Sequence, residues 1–300
     1  MDRVKLVVLI PVGPAEKPEY VRDTIESVVC FTTPSRRIII SDNTGENACE
    51  NLKSLFPGVT VLKTPRKYGQ YGELYLSVSM GLEFVHKNYD FDVLLGMDTD
   101  ALIIRPYPED DATDFFRHHP ETGIIGSYKI DCNGDPRDFT RPRRQLMKET
   151  DLISLLKHPR HLRGVIFFRK IVRKSRKNGY ELGEHCMMGA YFASRDCVSE
   201  LYQHNLLSRR EIHWSELSVD HIFGLFINAV GLRHGDFSTG ALPMGLRWRG
   251  LPCSPQELLV RGKKVTHSTR HYDSMDEAEI RRFFREARNK EPAGQHAMHG

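Results

Sequence analysis

The chain has 300 residues, of which 40% are hydrophobic and 27% charged, with a formal net charge of +4. That is an ordinary globular composition with enough chain for one large α/β core, and the small net charge makes no case for nucleic acid. The six cysteines form no C-x-x-C pair, which argues against structural zinc or a disulfide framework and for reduced thiols in a cytoplasmic protein. No apolar stretch approaches the roughly 20 residues needed to cross a bilayer. The opening Val4 to Val12 is too short for a leader, is interrupted by Pro11 and has no small-residue cleavage pattern after it. Any membrane role is expected to be peripheral.

The first hundred residues alternate strand and helix. Lys5 to Ile10 is a continuous apolar run stopped by Pro11 and Gly13, as in a buried parallel strand. Glu19 to Cys30 carries Val21, Ile25, Val28 and Val29 at helical spacing. Arg37 to Ser41 is a second strand, ending at Asp42-Asn43. Glu46 to Phe56 reads as a helix closed by Pro57-Gly58, and Val59 to Leu62 as a third strand. Gly72 to His86 is a helix, and Val93 to Met97 a fourth strand. This alternation predicts a mainly parallel sheet with helices on both faces.

The second half is less regular. Gly123 to Ile130 and Met187 to Ala193 read as strands, and Val198 to Leu207 as a helix. Ser218 is placed to cap a helix through Ile222, Phe223, Phe226 and Ile227 that ends at Gly231. Ser274 and Glu277 have the spacing of a capping box for a last helix, with Ile280, Phe283, Phe284 and Ala287 inward. No repeat or linker marks a second domain. The expectation is one domain over 1–290 and a disordered tail over 291–300. Between Arg137 and Lys177 lie 14 basic and 3 acidic residues. So concentrated a charge suggests an anionic partner or an anionic membrane surface.

The most informative motif is Asp98-Thr99-Asp100. Residues two apart on a strand share a face, so both carboxylates leave the strand end together. Two hard oxygen donors held close suit a divalent cation, which could neutralise a diphosphate. The competing reading is that aspartates end strands because they form turns well. Pro11-Val12, Asp42-Asn43 and Asp98-Asp100 all fall at strand C-termini, the edge where ligands of such sheets bind.

A strand ending in Pro-Val, a second ending in Asp-Asn and a fourth ending in Asp-Thr-Asp resemble the nucleotide-sugar-dependent glycosyltransferases of the GT-A fold. The resemblance runs from about residue 4 to 270 and is strongest to the large inverting family that includes many polysaccharide synthases. It implies a Rossmann-like α/β domain with a nucleotide-sugar half over 1–103 and an acceptor half over 104–290. By that resemblance Pro11 and Val12 line the nucleotide pocket, Asp42 contacts base or ribose, and Arg66, Lys67 and Gly69 approach the nucleotide. Asp98 and Asp100 would hold Mn²⁺ or Mg²⁺, with His267 as a late histidine ligand and His271 as its rival. Gly189-Ala190 would lie against the donor sugar, although close strand packing explains small residues there equally. Asp220, in the first turn of its helix, would be the catalytic base, with Glu216 as rival and Trp214 as a platform for an acceptor ring.

The implied activity is transfer of a hexosyl or N-acetylhexosaminyl group from a nucleoside diphosphate sugar, most often a UDP-sugar. The acceptor would be a sugar, lipid-linked or other hydroxyl, and transfer would invert configuration. Two alternatives stand beside it. One is a phosphatase of the haloacid-dehalogenase type, whose nucleophile motif is also Asp-x-Asp, although on the first strand and followed by Gly-Thr rather than Ala101-Leu102. The other is a non-catalytic nucleotide-sugar-binding protein.

Overall fold

A computed structural model describes residues 1–45, 49–65, 70–152 and 161–290. The first half contains β1 (Asp2–Val12), α1 (Pro18–Phe31), β2 (Arg36–Asp42), α2 (Leu52–Leu55), β3 (Val59–Lys63), α3 (Gln70–Asn88), β4 (Tyr89–Met97) and β5 (Ala101–Ile103). There follow α4 (Pro108–His118), β6 (Thr122–Gly126), α5 (Thr140–Glu149), α6 (Leu162–Lys177), β7 (Ala190–Ser194), α7 (Arg195–Gln203) and α8 (Val219–Ala229). The chain closes through β8 (Arg233–Asp236), β9 (Met244–Leu246), α9 (Pro255–Val260), β10 (Val265–His267), β11 (His271–Tyr272), β12 (Met275–Asp276) and α10 (Glu277–Lys290).

Seven strands form the central sheet in the order β3-β2-β1-β4-β7-β6-β8. Its pairs are parallel except those made by β7, which runs against both β4 and β6. Helices cover both faces, as the strand composition requires. Val7 and Leu9 of β1 join one buried cluster with Val78 and Leu82 of α3 and Phe168 of α6. Leu6, Val8 and Ile10 join the other with Val21, Ile25 and Val28 of α1. A strand that must be apolar on both faces reads as an unbroken hydrophobic run.

The chain winds from β1 through β2 to β3 on one side, then returns to place β4 on the other side of β1. Such a reversal opens a crevice beyond the strand C-termini. A second sheet, β5-β10-β9, begins directly after the end of β4. Its apolar side, with Leu102, Leu258, Ile280 and Phe284, forms a third cluster under α10.

Several boundaries differ from the sequence expectation for local reasons. The helix expected over 46–56 is only Leu52–Leu55 where described, and Cys49–Asn51 form turn. The strand expected to reach Ile130 stops at Gly126, because the amides of Tyr128 and Ile130 both turn to the Asp236 carboxylate, at 3.0 and 3.1 Å. The strand expected from Met187 begins at Ala190, because the segment before it bonds to other partners described below. The last helix is boxed by Asp276 and Glu279, not by Ser274 and Glu277. The Glu279 amide donates to the Asp276 carboxylate at 2.9 Å and the Asp276 amide to that of Glu279 at 3.1 Å. Helix α4 and strands β5, β8 and β9 had no sequence expectation. The tail over 291–300 lies outside the described residues.

Candidate active site at the end of β4

Asp98 and Asp100 leave β4 at the crevice, and the chain turns at once into β5. In the small sheet β10 pairs antiparallel with β5, so that His267 stands opposite Ala101. This register carries an imidazole from 167 residues away to the two carboxylates. The His267 Nε2 lies 3.3 Å from Asp100 Oδ1 and 3.9 Å from Asp98 Oδ2. One donor atom from each of the three side chains lies within 4.8 Å of the others, and no other such His/Cys/Asp/Glu group occurs among the described residues. His267 Nδ1 faces the Arg247 carbonyl at 3.0 Å. A proton on Nδ1 satisfies that carbonyl, and Nε2 faces the carboxylates, where it donates to Asp100 when protonated and would offer its lone pair to a metal once that proton is displaced. Two carboxylates and an imidazole suit Mn²⁺ better than a purely oxygen-seeking ion.

The electrostatics of the two aspartates diverge. Asp98 is pushed up to about 8, by burial and then by the charge of Asp100 beside it, although its side chain keeps 41% of its surface open. Asp100 is almost fully enclosed. Burial works against its ionisation, but the hydrogen bond and charge of His267, then Ser268 and Arg270, outweigh it and hold it well below the usual carboxylate range. Ser268 Oγ and Arg270 Nε each reach Asp100 Oδ2 at 2.7 Å. His267 is raised because its contact with Asp100 overcomes burial. One carboxylate is thus locked in place and ionised, while the other is held toward its protonated form, and a bound cation would favour its ionisation.

Gly189 and Asp220 complete the corner. The Asp98 amide donates to the Gly189 carbonyl at 2.8 Å. The next residue back, Met188, donates its amide to Asp220 Oδ2 at 3.2 Å. Asp220 sits in the first turn of α8 after Ser218, which takes N-cap backbone angles without making a side-chain cap bond. What stands against Gly189 is the His267 ring: a Cβ there would lie 2.3 Å from Cε1. Ala190, the first residue of β7, is buried and pairs with Met97 of β4.

Behind Asp220 is a cluster that sequence reasoning missed. Arg137 donates to the Ser127, Tyr128 and His185 carbonyls and faces His185 Nε2 at 3.0 Å. Because that nitrogen meets a donor, the His185 proton resides on Nδ1, 2.8 Å from the Gly183 carbonyl. Burial lowers the His185 pKa to about 4, in keeping with a neutral ring.

On the other side of the corner, Val12 is buried and Pro11 half-buried at the end of β1. Asp42 pairs with Val12 across the strands. Its carboxylate is fully enclosed. One oxygen accepts from the Thr44 amide and hydroxyl at 2.9 and 2.7 Å, and the other meets Lys63. Asp42 is therefore both a strand-end group and the anchor of its own turn. A cavity of about 340 Å³ opens here, lined in part by Val12, Glu16, Thr44, Asn51 and Leu52. Glu16 also accepts the Thr99 hydroxyl, so the cavity wall touches the Asp98–Asp100 loop directly.

Other expected site residues stand elsewhere. Arg66, Lys67 and Gly69 lie outside the described residues. Glu216 is three-quarters exposed and pairs with Lys148 at 3.5 Å. His271 is exposed and outside the Asp98 group. Trp214 stacks on His161 with ring centroids 4.1 Å apart and donates to the Glu211 carbonyl, so one indole face is already covered. Ser268 and Arg270 were within reach of sequence reading, being one and three residues past His267. Glu16 and Arg281 gave no local signal. Arg281 is 1% exposed, reaches the Asp23 carboxylate at 3.0 Å and donates to the Thr99 carbonyl at 2.6 Å.

No protein-family model matches the chain, and no curated protein matches it. Among solved structures it is similar to S. aureus TarS residues 1–349, at 14% identity and a TM-score of 0.42, covering 78% of this chain and 58% of that one. It is also similar to S. aureus TarS at 13% identity and a TM-score of 0.43, covering 78% of this chain and 35% of that one. The chain thus spans less than two thirds of either.

Proposed function

We propose that this protein is a metal-dependent glycosyltransferase that takes a sugar from a nucleoside diphosphate donor, a UDP-sugar first among them, to an acceptor hydroxyl. The observation that carries the reading is the convergence of Asp98, Asp100 and His267 at the C-terminal end of β4, with Asp220 one residue away through Met188-Gly189. The three side chains fit a divalent ion, which when bound would neutralise the two donor phosphates as the diphosphate departs. Arg270, 61% exposed and anchored to Asp100, has further N–H groups to offer a phosphate oxygen. The base and ribose would occupy the cavity beside Val12 and Thr44.

Asp220 then serves as general base. Its Oδ2 is fixed by the Met188 amide, which leaves Oδ1 to accept the hydroxyl proton during attack. Arg137 and His185 behind it hold the segment that carries Met188. Attack from the face opposite the diphosphate inverts the anomeric centre. NMR of the product decides this, and a retained configuration removes Asp220 from the role. The reading as a whole is tested by thermal shift with a panel of nucleotides and nucleotide sugars, with and without Mn²⁺. One nucleotide whose stabilisation requires the metal is the expected result. If none depends on metal in the native chain, or if Asp98→Asn responds like the native chain, the proposal fails.

A further inference from the structure

Nine large apolar side chains are exposed among the described residues. Four of them, Met147, Leu152, Leu162 and Ile166, belong to α5, α6 and the turn after α5. The hydrogen bond from Arg169 of α6 to the Thr150 carbonyl at 3.0 Å ties α6 to the end of α5, at a residue between Met147 and Leu152 in the chain. Helix α6 buries Val165, Phe168, Ile171 and Ser175 against the core. The opposite arc, at i, i+4, i+7, i+8, i+11 and i+15 spacing, carries Leu162 and Ile166 and then Arg169, Lys170, Arg173 and Lys177. With Arg163, Lys174 and Arg176 that makes seven exposed cations on a helix without an acidic residue. Among the described residues none of the seven forms an ion pair. Nearby acids lie off the helix: Asp151 beside Leu152, and Glu216 paired to Lys148.

We propose that this face of α5 and α6 lies on an anionic lipid bilayer, with Leu162 and Ile166 dipping into the headgroup boundary and the cations meeting lipid phosphates. A surface cavity of about 570 Å³ on this face is lined in part by Arg169, Arg173, Arg176 and Lys177, cations that suit a phosphate group. Seven unneutralised cations held within four turns repel one another, so an anionic surface relieves a strain that a neutral one does not. Aliphatic side chains set among lysines and arginines are the pattern of an interfacial helix. A groove for single-stranded nucleic acid would add aromatic stacking platforms, and here Phe168 is buried and Phe167 half-buried. The inference stands independently of the transferase reading.

The test is sedimentation of the full chain with vesicles of phosphatidylcholine alone or mixed with phosphatidylglycerol. Binding is expected only to the anionic vesicles, falling as salt rises. Combining Arg173→Gln, Lys174→Gln and Lys177→Gln should weaken it on the order of a hundredfold, at about fivefold per charge. Ile166→Ser should weaken binding that Ile166→Leu retains. Slower hydrogen exchange along 162–177 of the native chain on adding anionic vesicles is the readout that needs no variant. Equal binding to neutral vesicles, an Ile166→Ser protein bound as well as native, or capture of a short RNA through the same cations without vesicle binding would each overturn the proposal.

Discussion

Asp98 and Asp100 carry the same functional group and do different work. Asp100 is tied to Ser268, Arg270 and His267, so its loss disturbs structure as well as chemistry. Asp98 makes no comparable tie through its carboxylate. Asp98→Asn is therefore expected to keep the melting temperature within a few degrees while lowering kcat/KM by at least a hundredfold. Gly189→Ala is a sharper probe, because its methyl would collide with His267. Metal-dependent stabilisation should disappear although no ligand has been replaced. Asp220→Asn keeps an oxygen for the Met188 amide but cannot take a proton, and a loss of 10²–10⁴-fold in kcat at unchanged donor affinity is expected. At this scale much was legible. The aspartates announce themselves by spacing on one strand, and Asp220 by its place after Ser218. The neighbour of Gly189 was not legible, because the His267 ring that fills its space comes from a strand 78 residues later.

Strands β1 to β4 and helices α1 and α3 could be read from sequence because each is long and its burial pattern local. The pairing of the small sheet could not. Strands β5, β9 and β10 have three residues each, too few to show a period, and their pairing joins residues 101–103 to 265–267. Helix α10 was expected from its apolar stripe, yet the residue on it that matters most to the site is a buried cation. Arg281 binds Asp23 on α1 and the carbonyl between the two site aspartates. Replacing it with Met should cost about 1–3 kcal/mol, since the buried Thr99 carbonyl and Asp23 lose a charged donor while Asp23 keeps Arg285 and Arg288. A Met variant as stable as the native chain in urea would show that the clasp adds no net stability.

For the molecule as a whole, two buried groups of opposite kind shape the response to pH. Burial first, and the charge of Glu216 after it, lift Glu149 from 4.5 to about 7. The folded state therefore holds a proton that the unfolded state has released between those values. Stability from this group is complete below pH 4.5 and is lost as pH rises through 7. Burial takes His234 the other way, to about 3, so its contribution is complete above 6.5 and is lost as pH falls. Glu149→Gln should remove the alkaline part, and its stability relative to the native chain should rise between pH 5 and pH 8 by up to about 3 kcal/mol. A difference that stays flat across that range would place the Glu149 proton elsewhere.

Order of synthesis adds one more consequence of the β5–β10 pairing. The aspartates emerge within the first third of the chain, whereas the imidazole and guanidinium groups that oppose their charge arrive in the last tenth or so. A nascent polypeptide halted before position 267 would own a sheet and two mutually repelling acids. The corner can assume its shape only after nearly all of the described polypeptide has been made.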